Sequence, residues 1–561
     1  MQTYSSPSQI SIPTNLSLTQ LLHSSHTPLP PSHIIASDSL NHRSLTLHEL
    51  RTNAGRIASS LSQLLSPPDQ SHFSVILPNS CDYIEIVHAV LWLGGVVCPI
   101  NHAIVAHEIA HGLSVTRPSY IIAYGPVISK IEEAIVIATR LLKDQKVHWP
   151  TPKIITIISP STSTTTYPHI PQLPSASPLP IPTYQNTKTR LATLHLSSGT
   201  TGPPKAVRLT HYNFLSNTLQ LSTHVPFQFS SSSRIIAYTP FAHIGNTTFP
   251  FFLGPYIGMH HHCMPVYSLS NFGPLVDSVK PTIFQGVPSV VVSFANTDVC
   301  DKYDFSSADK IDCGGMPFSP QVLNTLSKKA NWRINQVYGM TEAAGYVAYQ
   351  SLTSPSPSNA VGPLLPNIEA VLRIENGKKD APLGGPGELW IRGPNITTGY
   401  AWNEAADGDA FPCGDGWYNT GDVCTINDQG IVSVVGRTKD LIKYKGFQVS
   451  PTELEALISA HPSVLEAAVG AVYDESQLTE LPTAYVVLKS HLVDEKDVSD
   501  VLSAIQRHVD GKVSGYKKLR GGVWQIGAVP KGTTGKVVRG ELWARRTGAG
   551  SLKQEVRRAK L

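Results

Sequence analysis

The run Leu196 to His211, LSSGTTGPPKAVRLTH, carries the densest set of phosphate-directed groups in the chain. Ser197, Ser198, Thr200 and Thr201 offer two hydroxyl pairs, Gly199 and Gly202 leave backbone N–H donors uncovered, and the Lys205 ammonium adds charge. Together they can cradle phosphate oxygens. The spacing is GxxGxxK, which separates it from the P-loop pattern GxxxxGK[ST]. A Gly/Pro surface turn is the alternative, and the ordered hydroxyls, glycines and lysine favour the cradle. Strand-like TLHL leads into the run, and a helix is expected directly after it. A second loop, Pro530 to Arg539 (PKGTTGKVVR), sets Lys536 in another Gly-rich turn. By contrast, His260-His261-His262-Cys263 reads as structural, because consecutive strand residues point to opposite faces and cannot all ligate one metal.

Such loops need a scaffold. Thr46 to Glu49 fits a capping box ahead of Leu47, Leu50, Ala54, Ile57, Leu61 and Leu64, an amphipathic helix. Strands are predicted over Ser74 to Pro78, Val96 to Ile100 and Tyr120 to Tyr124, with helices over Asp82 to Leu93 and Val105 to Val115; this alternation implies an α/β layer with a parallel sheet. Residues 150–189 are rich in Pro, Ser and Thr and read as a surface insertion holding one strand, Lys153 to Ile158. Farther on, Ser450-Pro451-Thr452-Glu453 supplies an N-cap, a first-turn proline and a capping-box acid. Strand-like Val464 to Val472 and Pro482 to Lys489 follow, then a helix with Val498, Val501, Leu502, Ile505 and Val509 on one face. The expected architecture is α/β: a large N-terminal domain of parallel-sheet subdomains over 1–437, a small α+β domain over 438–550 and a tail over 551–561.

Composition narrows the function. At about 150 residues per domain, 561 residues predict three or four folding units and exclude a small binding module. Hydrophobic residues at 41% against charged residues at 15% suit a globular chain. The 44 Lys and Arg against 40 Asp and Glu are scattered, so no nucleic acid is expected as a partner. The seven cysteines lie far apart without a CxxC pair, which predicts free thiols in a reducing compartment. The opening MQTYSSPSQISIPTN lacks the apolar core of a secretion leader. The apolar stretches Tyr83 to Ile100 and Phe249 to Met259 are interrupted by charge, proline and glycine, so the chain is expected not to be transmembrane. Ala559-Lys560-Leu561 is of the SKL kind, which predicts the peroxisome as location and its import receptor as a partner.

The Ser197 to Lys205 run resembles the signature [ST]SGTTGxPKGV of the adenylate-forming superfamily of acyl-CoA synthetases, peptide-synthetase adenylation domains and beetle luciferases, with Ala206 where glycine is usual. Further stretches match in the same order: LPNSCDYIEIVHAVLWLGGVVCPIN, NQVYGMTE (Asn335 to Glu342), WYNTGDV (Trp417 to Val423), GRTKDLIKYKGFQVSPTELE (Gly436 to Glu455) and PKGTTGKVVR. The wording GRTKDLIKYKGFQV is especially similar to 4-coumarate:CoA ligase and its relatives. The resemblance spans about Leu47 to Arg539 and implies ATP, Mg²⁺ and coenzyme A as reaction partners of a small carboxylic acid. Such an enzyme joins the acid to AMP, whose phosphate is a good leaving group, and a thiol then displaces it.

The same resemblance distributes roles. Tyr338 would stack on adenine with Gly314, Gly315 and Gly339 beside it, Thr341 would hold the α-phosphate, and Glu342 with Thr201 would ligate Mg²⁺. Asp422 and Arg437 would bind the ribose. Lys536 would be the mobile catalytic lysine, cationic at the charge that develops on the α-phosphate. The small domain would rotate about Lys439. In one pose Lys443 and Gln448 would point at the phosphates; in the other Lys445, Gly446 and Phe447 would line the pantetheine tunnel. His243 would gate the reacting carboxylate, and Ile244, the Cys313 to Pro317 turn, Gly339 and Ala344-Gly345-Tyr346 would line the acyl pocket.

No Asp lies between Thr239 and Thr248 to anchor an α-ammonium, which favours an acid lacking the α-amine. EAAGYV stands where the plant ligases have EAGPV, so hydroxycinnamate is not assumed. The leading expectation is a peroxisomal acyl-CoA ligase, by analogy in a fungal-type specialised pathway. The alternatives are a stand-alone enzyme loading a carrier-protein thiol, a luciferase-like oxygenase and a catalytically silent nucleotide-binding scaffold.

Overall fold

A computed structural model describes residues 2–26, 28–157, 167–172, 177–197, 203–286, 290–291, 293–294, 297–314, 326, 329, 332–351, 360–375, 377–445, 447–489, 497–531 and 537–550. Its first sheet orders strands 153–157, 120–124, 72–76 and 96–99, then β1 (Leu191–Ser197) and β2 (Lys205–Thr210). Each pair is parallel except β1 and β2, which form an antiparallel hairpin. The capping box before helix Leu47–Leu65 forms as expected, with Glu49 N–H 3.1 Å from Thr46 Oγ1 and Thr46 N–H 2.8 Å from Glu49 Oε2. Helix Cys81–Trp92 is buried along its whole length, and Arg43 meets its Asp82 and Glu85 at 2.9 Å each, so the buried carboxylates are paired.

The β2 hairpin strand stands where a helix was expected directly after the Gly-rich run. Pro203 and Pro204 disfavour helical geometry before them, and buried Ala206, Val207 and Leu209 pair against β1 instead. The helix α1 (His211–His224) begins six residues after Lys205, capped by Thr210 and Asn213. A short helix, α2 (Ile244–Thr248), follows farther on.

In the second sheet β3 (Ile283–Gly286), β4 (Lys310–Gly314) and β5 (Arg333–Met340) run parallel, and β6 (Gly345–Tyr349) closes the edge antiparallel to β5. Beyond β3 lie strands 234–237, 260–263, 34–38 and 44–46. The histidine run occupies 260–263 and alternates as expected: His260 Nε2 and His262 Nδ1 each lie 2.8 Å from Ser37 Oγ, while His261 is buried on the other face.

A third sheet, antiparallel throughout, joins strands 3–5, 369–374, 387–392, β7 (Tyr418–Ile426), β8 (Ile431–Arg437) and 360–363, with 379–380 paired to 369–374. The expectation of parallel-sheet subdomains for 1–437 did not include it. Helix Ile128–Asp144 was likewise not anticipated. The described end of the Pro-rich 150–189 stretch packs on the body, since Trp92 Nε1 donates to the carbonyls of Leu179 and Pro180 at 3.1 and 3.0 Å.

After β8 the chain forms the hairpin β9 (Ile442–Tyr444) and β10 (Phe447–Val449), then α3 (Pro451–Ser459). A four-stranded sheet of 464–474, 479–488, 523–526 and 546–550 and the helix Val498–Asp510 complete a lobe with its own core of Leu454, Ile458, Val469, Leu502 and Ile505. The α3 helix starts at Pro451 as expected, but Ser450 does not cap it: its hydroxyl donates to Val435 O at 2.6 Å, and Glu453 pairs with Lys517 instead of closing a capping box. The fold is thus a large N-terminal α/β domain followed by a smaller C-terminal one. None of the seven cysteines is in a disulfide, and among the described residues no helix is long and apolar enough to cross a membrane.

Candidate functional site

The β1–β2 hairpin brings Ser197 and Lys205 opposite each other at the mouth of the Gly-rich loop. Ser198, Gly199, Thr200, Thr201 and Gly202 lie outside the described residues. The Lys205 ammonium sits 5.0 Å above the ring centroid of Tyr400, a cation–π distance. That phenol donates to Glu342 Oε1 at 2.9 Å and lies 3.2 Å from the Tyr418 hydroxyl. Thr341 and Glu342 occupy a single 3₁₀ turn between β5 and β6, anchored where Thr397 N–H donates to Glu342 O at 2.7 Å. Lys205 and Glu342, 137 positions apart in sequence, therefore meet on Tyr400. Burial first, and the Glu342 charge second, raise the Tyr400 and Tyr418 phenols, which stay protonated donors. The Glu342 carboxylate suits a hard cation such as Mg²⁺, which uses one or two carboxylates with substrate phosphates.

The expected adenine and ribose residues form one chain of contacts. Tyr338 Oη donates to Asp422 Oδ2 at 2.6 Å, and Arg437 Nε lies 3.2 Å from Asp422 Oδ1. Asp422 on β7 and Arg437 on β8 are direct cross-strand neighbours, so antiparallel register creates the ion pair. Burial, then the Asp422 charge, pushes the Tyr338 phenol well above its ordinary range. Gly339 is required by the close approach of β6: a Cβ there would sit 2.0 Å from Gly345 O. Gly314 ends β4 opposite Val337, and Gly315 lies outside the described residues.

His243 is exposed and caps α2, its Nδ1 accepting from Gly245 N–H at 3.2 Å. Behind it, buried His195 on β1 joins the Gly-rich hairpin to α2: Nδ1 lies 2.8 Å from Thr193 Oγ1 and Nε2 2.9 Å from Thr247 Oγ1. Burial, with a smaller push from His243, lowers His195 to about 3, so it is neutral at physiological pH. The acyl-pocket candidates Ile244 and Tyr346 are both buried, and Tyr346 Oη donates to Gly245 O at 2.9 Å. Of the Cys313 to Pro317 turn, Cys313 and Gly314 are described, and Cys313 is buried.

The lobe candidates are held differently. Lys439 is exposed in the turn between β8 and β9. Lys443 is exposed and faces Gln448 across the hairpin, with its backbone N–H 2.6 Å from Glu480 Oε2. Lys445 adopts φ 46°, its N–H 2.7 Å from Thr479 Oγ1. Phe447 is 53% exposed and stacks on Tyr516 at 4.5 Å. Gly446, the Gln448 side chain, Lys536 and the Ala559, Lys560, Leu561 tripeptide lie outside the described residues.

Sequence reasoning missed Tyr400, Tyr418 and His195. Tyr418 sits in the quoted WYNTGDV and His195 borders the Gly-rich run, so adjacency to a motif was a usable signal; Tyr400, in PNITTGYAW, had none.

The description "AMP-binding enzyme" matches residues 29–401, and "AMP-binding enzyme C-terminal domain" matches residues 453–536. The chain is 30% identical over 538 residues to "Probable 4-coumarate--CoA ligase 1" of Dictyostelium discoideum, covering 92% of this chain and 93% of that protein. It is 30% identical over 558 residues to "4-coumarate--CoA ligase-like 3" of Arabidopsis thaliana, covering 96% and 94%. A solved anthranilate CoA ligase in complex with anthranoyl-AMP shares the fold at TM-score 0.81 and 21% identity, covering 95% of this chain and 98% of that one. With a match over most of its length, and relatives named as CoA ligases, the chain belongs to the AMP-binding enzyme family, as an adenylate-forming acid–thiol ligase.

Proposed function

We propose that this enzyme activates a carboxylic acid lacking an α-amine as its acyl-adenylate and transfers the acyl group to coenzyme A. The observation that carries the reading is a pair of clusters, Lys205–Tyr400–Glu342 for phosphates and Tyr338–Asp422–Arg437 for the nucleoside, related through β7, which carries both Asp422 and the Tyr418 that meets Tyr400. The acid's carboxylate oxygen attacks the α-phosphorus of ATP, a new P–O bond forms, and the bond to the β-phosphate oxygen breaks to release pyrophosphate. The thiol sulfur of coenzyme A then attacks the acyl carbon, releasing AMP and a proton. Both steps develop charge on phosphate oxygens, so positioning and electrostatics dominate catalysis.

Lys205 contributes fixed positive charge, and Tyr400 holds the Glu342 carboxylate in place. Bound Mg²⁺, held by Glu342 with Thr201, would neutralise phosphate charge. Asp422 accepts from ribose hydroxyls while the Arg437 ion pair orients it. Tyr338, Gly314, Gly315 and Gly339 form the adenine slot, Thr341 holds the α-phosphate, and His243 gates the carboxylate. Lys536, Lys443 and Gln448 approach the phosphates, and after rotation at Lys439 the Lys445-Gly446-Phe447 segment lines the thiol tunnel. Ala559-Lys560-Leu561 serves as a peroxisomal import address, and a specialised fungal pathway is the setting this reading favours; deleting the tripeptide from a fluorescent fusion tests the address.

Acid-dependent ATP–pyrophosphate exchange across aryl, short branched, hydroxylated and medium-chain acids tests the first step. Thioester formation with coenzyme A but not with a phosphopantetheinylated carrier protein supports the acceptor; the reverse preference overturns it.

A further inference from the structure

Two separate elements must hold the reacting groups in one frame. The phosphates fall to the β1–β2 hairpin, where Ser197 faces Lys205, and the acid's carboxylate falls to the gate residue His243 at the start of α2. His195 stands between them, two positions before Ser197 on β1 and 1% exposed. Its Nδ1 lies 2.8 Å from Thr193 Oγ1, and its Nε2 lies 2.9 Å from Thr247 Oγ1 on α2. The Thr247 hydroxyl in turn lies 3.1 Å from Phe241 O and 3.3 Å from His243 O, two carbonyls of the gate turn.

Counting protons gives every bond in this chain a direction. Carbonyls only accept, so the single Thr247 proton goes to Phe241 O or His243 O, and Thr247 Oγ1 accepts from His195. His195 therefore carries its proton on Nε2. Held neutral by burial, it accepts at Nδ1 from the Thr193 hydroxyl. A directed relay thus runs from Thr193 on β1 through His195 and Thr247 into the backbone of the gate turn. On its N–H side the same turn is held by Asn79, whose Oδ1 accepts from Phe241 N–H at 2.9 Å and whose Nδ2 donates to Ala237 O at 3.0 Å and Thr239 O at 2.9 Å. A buried imidazole is costly to desolvate. Here both of its nitrogens are used, one on each of the two elements that must stay in register.

We propose that His195 is a positioning residue for the adenylation step: through Thr247 it fixes the gate turn against the phosphate hairpin, and so sets how closely the acid's carboxylate meets the α-phosphorus. The inference rests on the adenylation reading above. A misplacement of about 1 Å between reacting atoms costs about 10² in rate even where each ligand still binds its own element. His195→Gln keeps an amide donor near the Nε2 position, whereas the shorter side chain of His195→Asn reaches only the Nδ1 position. In acid-dependent pyrophosphate exchange, His195→Gln should stay within about threefold of wild type, and His195→Asn should lose about tenfold or more in kcat while KM for ATP and acid moves by no more than about twofold. Thr247→Val, nearly equal in volume, should match His195→Asn, and the double variant should lose no more than either alone. A supplied acyl-adenylate, its two halves already joined, should still yield the coenzyme A thioester at near the wild-type rate in each. Thermal unfolding checks the fold, and Thr247→Val decides alone where His195→Asn does not fold. Equal kcat for His195→Gln and His195→Asn, wild-type kcat in Thr247→Val, or equal loss of both half-reactions would overturn the role of His195. Amide hydrogen–deuterium exchange over residues 241–247 tests the tie apart from activity: it should quicken in His195→Asn and Thr247→Val but not in His195→Gln, and uniform protection would overturn the tie. Pyrophosphate silence of the wild type with every acid while ATP still binds would instead overturn the adenylation reading, a failure distinct from that of the tie.

Discussion

The nucleotide end of the site and the C-terminal lobe solve opposite problems. In the larger domain Tyr338, Asp422, Arg437, Glu342 and Tyr400 are tied by hydrogen bonds and an ion pair of 2.6 to 3.2 Å, on strands fixed by sheet register. In the lobe Lys443 and Phe447 are exposed on a two-stranded hairpin, Lys445 holds a left-handed backbone, and the core beneath them belongs to the lobe alone. Groups that must meet the same phosphates in every turnover profit from preorganisation. Groups that serve two successive reactions profit from being carried on a separately folded body. The difference between the two regions is what the proposed two-step reaction in one site would require.

Substitutions should break the two ends unequally. Glu342→Gln keeps the shape and the bond from Tyr400 but removes the charge; pyrophosphate exchange should fall by about 10², and an exchange rate within twofold of wild type would remove Glu342 from the phosphate cluster. Tyr400→Phe deletes one neutral hydrogen bond to a carboxylate and leaves the ring under Lys205, so a loss of about tenfold is expected in the same assay.

Acid should separate the domains. Burial lowers His195, His211 and His261 to about 3 and His88 to about 4, all within the larger domain, whereas His461 and His508 of the lobe are partly exposed. A histidine whose folded pKa lies below its unfolded value near 6.5 contributes its stability above that pH. As pH falls toward 3 to 4 the unfolded chain binds the proton first, at about 1.4 kcal/mol per pH unit for each group. The unfolding transition of the larger domain should move to lower temperature between pH 7 and pH 5, ahead of the lobe's, and a pH-independent first transition would contradict the neutral burial. The smallest effect belongs to Phe447→Ala, which should leave pyrophosphate exchange unchanged and raise KM for coenzyme A by about three- to tenfold.

Local motifs made much of this legible. The Thr46–Glu49 capping box, the proline at the start of α3 and the alternating strands and helices between residues 72 and 124 depend on neighbours in sequence. Asp422 and Arg437 stood out because each lies in a short motif, but their ion pair depends on the β7–β8 register. The third sheet was not foreseen: its edge strand 3–5 pairs with 369–374 from the far side of the chain, and β7 opens on the polar run Tyr418 to Asp422, which does not read as a strand. Ser450 shows the limit of a local rule: its side chain had every feature of an N-cap, and a tertiary acceptor, Val435 O, won the hydroxyl. Tyr400 becomes visible as a site residue through the contact it makes between Lys205 and Glu342.

The division of labour between the two ends is tested most directly by Lys536→Ala, assayed on each half-reaction separately. The account predicts that acid-dependent pyrophosphate exchange falls by about 10² or more while a supplied acyl-adenylate is still converted to its coenzyme A thioester at near the wild-type rate. Equal loss of both half-reactions would contradict it.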